Sequence, residues 1–229
     1  MLKHVVGCVL RLAVAPLLLA IFSGGAIAQG DQNNLVSAAD TTLSNFVRDP
    51  QMTWLHRNFS RAKAILIAPE VAKAGFIFGG SGGRAVLIAR DAKSGKWGGP
   101  AFYTMATASV GFQAGVSVSE MVTLVMTDKG MRSLLATSVK VGPDVSIAAG
   151  PVGAGAKADV VSDLVSFSRS KGIYGGVNLD GTAITVSDDW NRTYYGKDVQ
   201  PSDILVTMSA HNKQAAKLLA DAARATARK

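Results

Sequence analysis

From Leu35 onward, apolar residues recur at steps of three and four (Leu35, Val36, Ala39, Leu43, Phe46, Val47), the spacing of one helix face. Asp49-Pro50 stops that helix, because a residue preceding proline is pushed out of the α region. The polar stretch 29–34 before it reads as a frayed tail. A second helix is predicted over 52–63, with Met52, Leu55, Phe59 and Ala62 on one face and Arg57, Arg61 and Lys63 elsewhere on it. An apolar run, 64–68, ends at Pro69.

The pattern then changes. Ten glycines fall between Gly75 and Gly115, separated by short β-branched or aromatic runs at 75–78, 84–90 and 101–118. Residues 121–126 read as a buried strand, and Thr127-Asp128 as the cap of a short helix reaching about Ala136. Further strands are predicted at 139–141, 145–149, 158–163, 165–170 and 173–186. Asp180-Gly181 marks a hairpin within the last of these, since both residues tolerate positive φ. Residues 188–197 turn polar and aromatic. Pro201-Ser202-Asp203 opens a last helix, striped by Ile204, Leu205, Met208, Ala215, Leu218, Leu219 and Ala222. The elements predict an α+β fold. A mostly antiparallel, strongly curved or barrel-like β core carries N-terminal helices, one short internal helix and a C-terminal helix.

The N-terminus changes the domain count. Lys3, His4 and Arg11 precede an apolar run at 12–22, which is followed by small residues and Ala26-Ile27-Ala28. This is the layout of a cleavable signal peptide, and the run is shorter than the roughly 20 residues a membrane span needs. The expected organisation is a leader over 1–28 and a single domain over 29–229, exported to the periplasm. Cys8 follows a sequence like a lipidation box, but only seven residues precede it, too few for an apolar core upstream. Removing the leader takes away the single cysteine and lowers the formal net charge from +8 to +6. An exported domain without disulfides has to be held by its own core.

Candidate chemistry is sparse. His56, His211, Glu70 and Glu120 have no metal-ligand spacing, so no metal or other cofactor is expected. Gly79-Gly80-Ser81-Gly82-Gly83 fits the serine-hydrolase pattern, but a strand candidate follows it where that mechanism needs a helix. The 150–157 stretch has Ala156 where a phosphate loop needs its lysine, and reads as a turn. Asp188-Asp189 reads as a solvated turn.

The runs AKAILIAPEVAKAGFIFGGSGGRAVLIAR, WGGPAFYTMATASVGFQAGVSVSEMVTLVMTDKGMRSLL, VGPDVSIAAGPVGAGAKAD and YGGVNLDGTAI resemble the SYLF domain family, over roughly residues 34–219. The resemblance implies phospholipid or membrane-surface binding without catalysis. It also implies a lipid-contacting amphipathic segment at the start of the domain, here 52–63. In the periplasm a generic anionic phospholipid is the expected partner, rather than phosphoinositide, actin or nucleic acid. Trp54 and Phe59 would each gain about 1.5–3 kcal/mol on leaving water, and Arg57, Arg61 and Lys63 about 1 kcal/mol each beside an anionic surface. The competing reading packs the aromatic side chains onto the β core. Lys73 and Arg84, with Arg90, Lys93 and Lys96, form a second expected patch near the glycine-rich turns. Three rivals stand beside lipid-surface binding: an envelope interaction protein, a carrier holding a lipid or apolar molecule inside the β core, and a Ser81 hydrolase.

Overall fold

Two runs of five apolar residues, 64–68 and 85–89, decide the layout. They lie side by side as antiparallel neighbours, with Ile65 opposite Ile88 and Ile67 opposite Val86. Neither run alternates with polar residues, because both faces of the sheet are covered there. The computed structural model describes residues 24–75, 78–110, 115–153, 160–170, 173–176 and 179–227. The expected leader lies outside the described residues over 1–23.

The strands are β1 (Ala64–Gly75), β2 (Phe78–Arg90), β3 (Trp97–Val110), β4 (Gly115–Val125), β5 (Ser138–Lys140), β6 (Ile147–Ala149), β7 (Leu164–Ser170), β8 (Ile173–Gly176) and β9 (Ala183–Val186). Their order is β5-β9-β3-β2-β1-β4-β7-β6, with β8 on β7, in one mostly antiparallel sheet curled into a half-barrel. The α+β expectation therefore holds, with an open sheet.

Helices α1 (Gly24–Arg48), α2 (Thr53–Asn58), α4 (Asp188–Tyr195) and α6 (Ala216–Ala227) cover one face. They pack on Ile65, Ile67, Val86, Ile88, Val122 and Leu124. The intervening residues Leu66, Ala85, Leu87 and Val125 point to the other face, where α3 (Asp128–Leu135), α5 (Pro201–Leu205), β5 and β9 form a second core. Each large aliphatic side chain so enclosed contributes about 1.5–3 kcal/mol.

Several expected elements differ. α1 starts eleven residues before Leu35, because Gln32 continues the Val36, Ala39 and Leu43 stripe at helical spacing and is itself buried. Pro69 does not end β1; the chain crosses it through a register shift between Ile67 and Glu70. The bulge brings β2 so close that a Cβ at Gly83 would stand 2.2 Å from the Glu70 carbonyl oxygen. The strand expected over 158–163 is absent from its described part, 160–163. The Asp180-Gly181 turn forms, with Gly181 at φ 79° and Thr182 N–H donating to Leu179 O at 2.9 Å. Its flanking segments do not pair as a hairpin: β8 joins β7, while β9 joins β3 and β5.

Helix α4 occupies the polar and aromatic stretch to which the sequence pattern assigns no helix. Phe102 packs against Trp190 and Tyr194, ring centroids 5.8 and 5.0 Å away, and its N–H donates to Asn191 Oδ1 at 2.9 Å. The single C-terminal helix is in fact interrupted. Thr207 and Ser209 hydroxyls donate to the Asp203 carbonyl, in competition with the helical ladder, and Met208 takes φ 50°.

Candidate functional site

The seven expected lipid-contact residues do not form one patch. Trp54 and Phe59 are 4% and 1% exposed. The Trp54 ring lies 5.9 Å from Phe167, and Phe59 lies 6.2 Å from Trp97, whose Nε1–H donates to Thr226 Oγ1 at 3.0 Å. The segment 53–61 is thus clamped between the sheet and α6, with its aromatic rings in the core. Their assignment as lipid contacts is corrected on that ground, because their surface has already left water.

The basic residues of the same segment point outward. Arg57 and Arg61 are exposed, and Arg61 Nη1 donates to Asn58 Oδ1 at 2.9 Å. Lys63 is half-buried and pairs with Asp128 at 2.8 Å, holding that carboxyl below its ordinary range through a hydrogen bond and charge. Arg90 belongs with this group: its backbone N–H donates to Lys63 O at 2.8 Å, and its guanidinium donates to Ser60 O at 2.5 Å. Lys93 and Lys96, on the turn between β2 and β3, and Lys129 and Arg132, on α3, are exposed at the same end of the sheet. This end gathers the start of β1, the end of β2, the start of β3 and the end of β4.

Lys73 is elsewhere. At about 3.3 Å per residue, ten strand residues place it about 30 Å from Lys63. Arg84 is also separate, its Cζ 3.9 Å from the centre of the Trp190 ring, a cation–π contact. The two patches expected from the sequence are therefore partitioned differently. Arg90, Lys93 and Lys96 leave the second patch for the first group, and Lys73 and Arg84 stand apart from it. Lys129 and Arg132 lie on α3, whose local sequence signal is its cap and does not tell at which end of the sheet it sits. Antiparallel parity was the available signal, since in a meander every second turn lies at the same end.

The far half of β1–β4 forms a blade, with Asp31, Asn34 and Leu35 of α1 beside Ala72 and Gly82. Ala72, Ala74, Ala106, Ala108, Val116 and Val118 share one face by register, with Val116 78% exposed. Lys73, Ser81, Thr107 and Ser117 share the other. Ser81 sits mid-strand opposite Lys73 and Thr107, so the strand-to-helix elbow a serine hydrolase needs is not formed there.

At the basic end, a groove of about 850 Å³ opens between the end of α1, the 53–61 segment and the end of α6. A smaller recess beside it is lined by Arg61, Thr127, Ser146 and Asp163. Asp163 anchors that corner by accepting from the Thr127 hydroxyl and from both N–H and hydroxyl of Ser146. Burial works to raise its pKa, but these hydrogen bonds outweigh it and bring the carboxyl down to about 2.

Residues 106–225 match the family model described as Ysc84, Las17-binding protein actin regulator. The chain is 36% identical over 152 residues to Protein YSC84 of Saccharomyces cerevisiae, covering 63% of this chain and 32% of that one. It is 34% identical over 152 residues to LAS seventeen-binding protein 3 of the same species, covering 63% and 33%. It is 28% identical over 151 residues to human SH3 domain-containing YSC84-like protein 1, covering 64% and 44%. The matched region spans less than half the length of each of these relatives. No solved structure matches the chain.

Proposed function

The chain belongs to the Ysc84 family, the SYLF-domain proteins, and from that premise we propose that it is an exported, non-enzymatic protein that attaches to anionic phospholipid surfaces through the basic end of its sheet. The observation that carries this reading is the convergence of Arg57, Arg61, Lys93, Lys96 and Arg132 there, all exposed. At about 1 kcal/mol each beside an anionic leaflet, they supply roughly 5 kcal/mol before the cost of association. That is a weak, reversible, salt-sensitive attachment. The leader supports a periplasmic site of action.

The test is co-sedimentation of the chain lacking residues 1–28 with vesicles of phosphatidylglycerol or of phosphatidylcholine. Pelleting with the anionic vesicles alone, reversed by salt, is the expected result. Equal pelleting with both, or none with either, removes the reading.

A second reading is favoured by the blade, whose apolar face is uncovered at Val116 and Val118. One relative, LAS seventeen-binding protein 3, carries a protein partner in its name, and the family description names Las17 as well. On this reading the chain is an envelope interaction protein. A pull-down partner that survives detergent and is lost in Val116→Asp is its signature.

A further inference from the structure

We infer that the groove at the basic end holds one long-chain carboxylate, a free fatty acid, with its head at Arg48 and Arg57. The groove's about 850 Å³ lies within the roughly 300–1,000 Å³ of small-molecule sites. Its floor is apolar, with Val47, Phe59 and Ala225, and its rim is polar and cationic, with Arg48, His56 and Arg57. An apolar floor with cationic groups confined to the rim matches an amphiphile with an anionic head. It matches neither a wholly polar solute nor a neutral oil.

The guanidinium fork fits a carboxylate in two-point hydrogen bonding, which a lysine does not provide. His56 adds a second, independent sign. Its Nε2 is enclosed and has no hydrogen-bond partner among the described residues, a cost that structures usually avoid. His56 lines the same groove, so this nitrogen is the candidate partner for a head-group oxygen. Thr226 and Ala227 line the groove at the end of α6, where Ala227 is exposed. The inference deepens the membrane reading and rests on it for the source of the lipid, since the same basic end faces the bilayer.

The experiment titrates delipidated chain with oleate, read by native mass spectrometry and by displacement of a fluorescent fatty acid. One oleate per chain is expected, and methyl oleate, which lacks the anionic head, is expected to bind at least about tenfold more weakly. Two variants are made at exposed positions and checked for unchanged thermal melting. R48Q/R57Q removes the head-group contacts and is expected to lose at least about tenfold in oleate affinity. A227W adds bulk to the groove's lining at the end of α6 and is expected to lose oleate while still pelleting with anionic vesicles. Equal affinity for methyl oleate, displacement of oleate by inorganic phosphate alone, or unchanged oleate binding in both variants overturns the inference. Oleate binding is read without vesicles and pelleting without oleate, so failure of one leaves the other readout standing.

Discussion

Reversing Lys96 and Arg132 to glutamate tests whether membrane attachment belongs to one end of the molecule or to its overall positive charge. Both side chains are exposed and neither takes part in the cores, so K96E/R132E is expected to fold normally. Each reversal removes about 1 kcal/mol of attraction to an anionic surface and adds a repulsion of similar size. The pair is therefore worth about 4 kcal/mol, close to three powers of ten in affinity when both residues approach the bilayer. The matched control is K73E/K140E, which changes the net charge by the same amount. Lys73 lies about 30 Å along β1 from Lys63. Lys140 pairs with Ala183, which pairs with Ala106, nine residues along β3 from Trp97 and so also about 30 Å away. The Debye length at 0.1 M salt is about 10 Å, so charges three such lengths from the contact are screened from it. Vesicle co-sedimentation over a range of salt should thus find K96E/R132E severely weakened and K73E/K140E close to wild type. Equal losses in the two variants would refute the placement and leave only a net-charge effect.

Trp54→Ala is expected to cost about 3–5 kcal/mol in urea unfolding, as the loss of a buried aromatic residue, while folded protein still pellets with anionic vesicles. Lost pelleting with unchanged stability would return that side chain to the membrane. Gly83→Ala is expected to destabilise by about 1–3 kcal/mol, since its new Cβ meets the Glu70 carbonyl oxygen at 2.2 Å; Gly82→Ala, with its nearest contact at 3.1 Å, should cost less by the same measurement. Asp163→Asn is expected to lower stability by about 1–2 kcal/mol at neutral pH, allowing for solvent screening of a folded pKa of about 2 against an ordinary 3.8. A depressed carboxyl pKa stabilises above the unfolded value, so the difference from wild type should be full above pH 3.8 and fade as the pH falls towards 2. A difference that stays constant across that window would exclude the ionised carboxylate as its source.

Local pattern carried far in this chain. The 35–47 periodicity located the covering helix, and Thr127 was legible as a cap, since its hydroxyl does accept from Gly130 N–H at 3.0 Å. The family motifs were also in the sequence, because they are runs of residues. What depended on which strands become neighbours was not. The Asp180-Gly181 turn forms as read, yet its flanks pair with different strands, because turn geometry fixes the backbone of two residues and not the partner of the next four. The glycines at 79–83 read as a break between short strands and instead lie within continuous β2, where Gly83 answers a close approach from Glu70 that only the folded sheet creates.

The charges divide in the same way. The sequence by itself determined that basic residues exceed acidic ones, and that Trp54 and Phe59 alternate with arginines on a short helix. Only the tertiary structure decided which side of that helix meets the sheet, and it placed the aromatic rings against Phe167 and Trp97, where their apolar surface leaves water within the protein itself. It likewise brought Arg90 to Ser60 and set Lys73 about 30 Å from Lys63, distances fixed by strand length and antiparallel order rather than by any local preference.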